Sequence, residues 1–185
     1  MAETSSISAF ILAGGASRRM GRDKATLEFR GQPLIDHMAG LLSHAFGAVR
    51  IVGRGDLSDR IPGLGPIGGI ATALEATETE RNLVVAVDLP LLTPEFLKLF
   101  KTRIEGSAKH VVACRIESEY PLCLGIDRRE LGLIKERIAE GKLSVHGFIE
   151  AADAEVLTGL DPGLFTNINT PEEWNRLLGI AGQDF

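Results

Sequence analysis

Residues 12–24 read LAGGASRRMGRDK and follow directly on a short apolar run, Ile7–Leu12. The run has the length and composition of a buried strand, and Gly14 and Gly15 end it. In open α/β sheets, ligands bind beyond the carboxyl ends of the strands. Gly14, Gly15 and Gly21 let the backbone turn tightly and aim successive N–H groups inward, the geometry of an anion-binding nest. From residue 18 to residue 30, Arg18, Arg19, Arg22, Lys24 and Arg30 stand against Asp23 and Glu28, a local net charge of +3 in a chain whose total is −5. A glycine turn in a positive field suits a polyphosphate. It is not a Walker A loop, because GxxxxGK[ST] is absent.

Outward from this turn the pattern alternates. Residues 33–46 place Leu34, Met38, Leu41, Leu42 and Ala45 at helical spacing. Val49–Val52 reads as a strand, GLGPIGG leads into a helix near residues 70–78, and LVVAV at 83–87 reads as a third buried strand. Thr93 and Pro94 open a helix over 93–104, as N-cap and first helical residue. Strand–helix alternation implies a parallel sheet covered by helices on both faces. In the second half, 110–115 and 121–126 predict an antiparallel hairpin. A helix is expected over 127–140, with an Asp127–Glu130 capping box and Gly141 at its end. A last strand is expected at 154–157, and a tail helix from Thr170–Pro171 with Glu173 completing a second capping box. With no repeat, low-complexity stretch or linker, residues 1–185 are expected to form one domain.

A chain of 185 residues buries about 70% of its unfolded surface. Apolar residues at 44% and charged residues at 24% are an ordinary globular mixture. A net charge of −5 argues against a general nucleic-acid surface. No apolar run reaches the roughly 20 residues of a membrane span. Glu3 and the lack of an early Lys or Arg argue against a secretory signal, so a cytoplasmic protein is expected. Cys114 and Cys123 are expected to face each other across the hairpin as buried thiols.

Asp88 follows the run LVVAV, and Pro90 stops the strand beyond it, which puts a carboxylate at the crevice. Mg²⁺ takes one or two carboxylates plus phosphate oxygens and water, so Asp88 is a candidate ligand; the alternative is an Asp that caps the next turn. Residues 63–68 fit GxGxxG, but no apolar strand runs directly into them and Pro66 removes an N–H from the turn. His37 and His44, seven apart on the first helix, have no carboxylate or Cys partner at metal spacing and read as ordinary helix residues. Asn167 and Asn169 lie on one face of an extended segment, beside a Thr170–Glu173 capping box that needs no ligand.

LAGGASRRMGRDK resembles the signature LAGGxSxRMGxDK of the MobA-type nucleotidyltransferases. Further matches follow in order: GQPLIDH, GPIGG at 65–69, VDLPLL at 87–92 and FTNINTPEEW near the end, the last favouring the molybdenum-cofactor branch. The resemblance implies a three-layer Rossmann-like nucleotidyltransferase fold. It implies transfer of GMP from GTP to molybdopterin, with Mg²⁺ as the metal and transient contacts with cofactor-biosynthesis or acceptor enzymes. Leu12, Ala13, Gly14, Gly15, Arg19, Lys24, Gly65 and Asp88 then surround the nucleotide, and Asp59 holds the guanine. Asn167 and Asn169 lie on the molybdopterin side. Residues 1–105 form the nucleotide half and 106–185 the acceptor half. Gly53 stands where the family often has Asn, which leaves room for cytidylyl or sugar-phosphate transfer, or for a silent nucleotide-binding module.

Overall fold

The computed structural model describes residues 7–14, 23–54, 57–58, 63–168 and 170–181. Strand β1 (Ile7–Leu12) pairs in parallel with β4 (Val49–Val52) on one side and β5 (Arg81–Ala86) on the other. Beyond β5 come β7 (Cys123–Asp127), β6 (Val111–Cys114) and β8 (Glu155–Leu157), giving the order β4-β1-β5-β7-β6-β8. Only β7 runs against its neighbours: it is antiparallel to β5 and β6, and β6 pairs in parallel with β8. The expected mostly parallel sheet with an antiparallel hairpin in the second half is thus the fold of this chain. Cys114 and Cys123 lie just beyond the last paired residues of that hairpin, both buried as free thiols, and the Cys114 contact and burial push the Cys123 thiol up.

Side-chain alternation along β1 feeds two cores. Ile7, Ala9 and Ile11 enter one, Phe10 and Leu12 the other. The first core packs under α1 (Leu34–Phe46), α3 (Pro94–Gly106) and α6 (Pro171–Ala181). The second packs under α2 (Pro66–Ala76), α4 (Leu131–Ala139) and α5 (Val145–Ala151). In α1 the fully buried residues are Leu34, Met38, Leu42 and Phe46, one per turn. Thr93 caps α3 by accepting from the Phe96 N–H, with Pro94 at the first helical position. At α6 the capping box is reciprocal: Glu173 accepts from the Thr170 N–H, and Thr170 Oγ1 from the Glu173 N–H.

Several expectations need correction. Helix α2 starts at Pro66, four residues before position 70, because Pro66 is preset for a first helical turn and Gly65 supplies a φ of 63° before it. GPIGG is therefore the first turn of a helix. A Cβ on Gly69 would lie 3.1 Å from Leu12 Cδ1, so small residues here let α2 lie close on β1. The Asp127–Glu130 capping box does not form. Asp127 ends β7 and caps a 3-10 turn at Arg129 N–H, Glu130 turns to His110, and α4 begins only at Leu131. Helix α5 and a short hairpin, β2 (Glu28–Phe29) with β3 (Gln32–Pro33), come in addition. Arg30 and Gly31 both have positive φ, 50° and 78°, as a tight two-residue hairpin requires.

Two glycines mark close approaches. A Cβ on Gly125 would lie 2.3 Å from Ile104 Cγ1, so the bare backbone of β7 receives the Ile104 side chain of α3. Gly53 has a φ of 90°, and its Cβ would lie 2.3 Å from Gly14 Cα. Gly125→Ala is expected to cost about 1–3 kcal/mol by overpacking. Gly53→Ala should cost more, because backbone rather than a side chain must yield. Urea unfolding of the two variants checks the order; equal midpoints for Gly53→Ala and the native chain would contradict the close approach.

Candidate functional site

The register pairs Leu12 with both Val52 and Ala86, so β1, β4 and β5 release the chain at one level. Because β7 runs the other way, the loop before it arrives at the same end of the sheet. A cleft of about 720 Å³ opens there, lined by Leu12–Gly14 after β1, Asp23–Ala25, Gly63–Pro66 at the start of α2, Val87–Asp88 after β5, Tyr120–Leu122 before β7, and Asn167.

Two charged groups from distant parts of the chain meet in it. Lys24 Nζ lies 3.1 Å from Asp88 Oδ2, with both side chains largely shielded at 16% and 21% exposure. Lys24 begins a 3-10 turn, Lys24–Thr26, in which the Asp23 side chain accepts from the Ala25 N–H, and Ala25 is buried in the first core. The lysine therefore stands on an anchored turn. Asp88 follows β5 by two residues, on a turn held by the Val87 N–H bond to the Leu12 carbonyl (3.1 Å). A carboxylate and a lysine facing each other in one cleft can serve a metal-bound polyphosphate. Among the described residues there is no cluster of three or more His, Cys, Asp or Glu that would make an all-protein metal cage.

The structure brings together Leu12, Ala13, Gly14, Lys24, Gly65, Asp88 and Asn167 of the sequence-derived set. Gly15, Arg19, Asp59 and Asn169 lie outside the described residues. The GxGxxG run lines the cleft as the start of α2, with Gly65 as N-cap. Gly53, in the place expected for Asn, is filled by the approach of Gly14: no side chain fits there.

Two residues escaped the sequence reading, and a third makes contacts that the sequence did not announce. Arg54 donates to the Ala13 carbonyl and pairs with Asp23, tying the exit of β1 to that of β4. Its signal was available, since it follows its strand as Gly14 and Asp88 follow theirs. Tyr120 lines the cleft, and its ring packs against His146 at 4.8 Å between centroids. The antiparallel direction of β7 is what brings it there. His37 lies on α1 as expected and makes contacts beyond its helix. Its Nε2 lies 3.1 Å from the Pro90 carbonyl oxygen, and its ring meets Phe29 edge-on at 4.8 Å. Burial holds the His37 pKa below its usual value, with a smaller push from Arg30, against the raising effect of the Pro90 carbonyl.

This arrangement agrees with comparisons to known proteins. Residues 9–155 match the family model described as the MobA-like NTP transferase domain. A molybdenum cofactor guanylyltransferase of Xanthomonas euvesicatoria pv. vesicatoria is 33% identical, over 91% of this chain and 92% of its own length. One from a Shewanella species is 32% identical, over 94% and 96%. The crystal structure of molybdopterin-guanine dinucleotide biosynthesis protein A from Archaeoglobus fulgidus superposes with a TM-score of 0.80 at 21% identity, covering 95% of this chain and 99% of that one. A cleft at the carboxyl ends of the central strands, a family match over most of the sheet, and relatives matched along nearly their whole length converge: this chain is a member of the MobA-like nucleotidyltransferase family.

Proposed function

We propose that this chain transfers GMP from GTP to the terminal phosphate of molybdopterin and releases pyrophosphate. The observation that carries the reading is Lys24 facing Asp88 at 3.1 Å beside Gly14, a cation and a carboxylate paired at the mouth of a nucleotidyltransferase sheet. The names of the relatives support the choice of substrates.

In this reading an oxygen of the acceptor phosphate attacks the α-phosphorus of GTP, a new P–O bond forms, and the bond to the β-phosphate breaks. A phosphate monoester is largely dianionic near neutral pH, so no side chain must remove a proton. The residues position and neutralise. The Gly14 and Gly15 amides receive phosphate oxygens, Arg19 and Lys24 offset their charge, and Leu12, Ala13 and Gly65 wall the nucleoside. Asp88 has the donor chemistry to hold Mg²⁺, which when bound adds Lewis-acid charge at the phosphates. With Mg²⁺ held by Asp88, Lys24 would face the phosphates in place of the carboxylate. Asp59 is the proposed guanine reader, since a carboxylate accepts from both N1–H and the 2-amino group. Asn167 and Asn169 form the proposed acceptor side, with residues 1–105 supplying the nucleotide half and 106–185 the acceptor half.

Gly53 favours one second reading. It removes a side-chain contact expected at the nucleotide, and a cytidylyltransferase of the same chemistry is the result if Asp59 does not read guanine.

Lys24→Ala is expected to lower turnover about 10²–10³-fold in a pyrophosphate-release assay, the scale for removing one preorganised charge donor. Asp88→Ala is expected to abolish Mg²⁺-dependent turnover. Normal turnover in either variant would remove that residue from the machinery. Thermal shift with Mg·GTP, Mg·CTP and Mg·ATP checks the base, because a ligand that binds the native state raises the melting temperature. The largest shift is expected with GTP; a larger one with CTP selects the second reading.

A further inference from the structure

Helix α1 touches both sides of the cleft. Its first turn packs on the segment that carries Lys24: Ala25, Phe29 and Leu34 share the first core, and the Leu34 N–H donates to the Leu27 carbonyl at 2.8 Å. One turn on, His37 reaches across to the loop that carries Asp88, with Nε2 3.1 Å from the Pro90 carbonyl. Pro90 is two residues from Asp88 and buried, so a restraint on its carbonyl acts on the direction in which the Asp88 side chain leaves β5. The carbonyl can only accept, so Nε2 carries the proton in this contact. The ring cannot swing away freely, because its face is fixed edge-on to Phe29, itself fully buried.

From this geometry we infer that His37 is a positioning residue: it ties the Asp88 loop to the helix that also anchors Lys24, and so sets the distance between the two charged groups. The inference rests on the reading of Asp88 as metal ligand given above. His44, two turns further along α1 and bonded only to the Gly40 carbonyl of its own helix among the described contacts, has no such role.

The test separates the hydrogen bond from the packing. His37→Phe keeps a ring against Phe29 and removes the donor. His37→Gln keeps an N–H donor and removes the ring. Affinity for Mn²⁺·GTP, measured by calorimetry, is the readout, with melting temperature recorded for each variant. His37→Phe should bind about tenfold more weakly, the effect of one lost hydrogen bond. His37→Gln should recover most of the loss, and His44→Ala should bind as the native chain does. In an Asp88→Asn background, His37→Phe should cause no further loss, because coupled residues do not add. Native affinity in His37→Phe, failure of Gln to recover it, or the same loss with Asn at position 88 would each overturn the inference while leaving Asp88 as ligand. Native affinity in Asp88→Asn alone would instead overturn the metal reading, and this inference with it.

Discussion

Lys24 and Asp88 are 64 residues apart in sequence, and their meeting requires that β1 and β5 release the chain at the same height. The parallel register Leu12↔Ala86 supplies that requirement, and the Val87–Leu12 hydrogen bond extends the pairing one step past the strand ends. A one-residue slip would turn Asp88 to the opposite face of the sheet. The slip is resisted by the core itself. A slip of β5 would move Val84 out of one apolar cluster and Leu83 and Val85 out of the other. Packing far from the cleft thus sets the chemistry within it.

The polar groups at the two ends of the sheet are handled differently. At the amino ends of β1 and β5, Asn82 is fully buried and its amide is satisfied by the Thr79, Glu80 and Ile126 carbonyls and the Thr77 hydroxyl. That network is complete and needs no partner from outside. At the carboxyl ends, Gly14 is exposed and Lys24 and Asp88 are satisfied by an ion pair that stays within reach of solvent. In the proposed reading this pair is exchanged for a ligand's charges, so that one end of the sheet holds its partners and the other trades them.

The alternation of strands and helices was legible because each element has its own period and its own stop. Thr93–Pro94 and Thr170–Glu173 announce helix starts by side-chain chemistry that works locally. The site was legible where residues follow their strands directly, as Gly14 and Asp88 do. What escaped depends on contacts between distant segments. Glu130 could have closed a capping box on Asp127, but Asp127 belongs to the sheet and its N–H donates to the His110 carbonyl, so the box loses its donor. Gly68 and Gly69 look like loop residues by propensity; close packing of α2 on Leu12 and Leu64 overrides it. His37 carries no local signal, because its partner lies 53 residues away.

Gly53 shows how backbone packing and recognition compete for the same space. Gly53, just past β4, lies so close to Gly14 that a Cβ cannot be placed, and Arg54, the next residue, donates to the Ala13 carbonyl. A side chain at position 53 would fit only by pushing Gly14 away. In the proposed reading, this closeness removes one contact to a bound nucleotide, and discrimination between bases falls to Asp59 rather than to position 53. Phosphate binding and base reading are then the work of different residues, the first resting on Gly14 and Lys24, whose place follows from the register of the sheet.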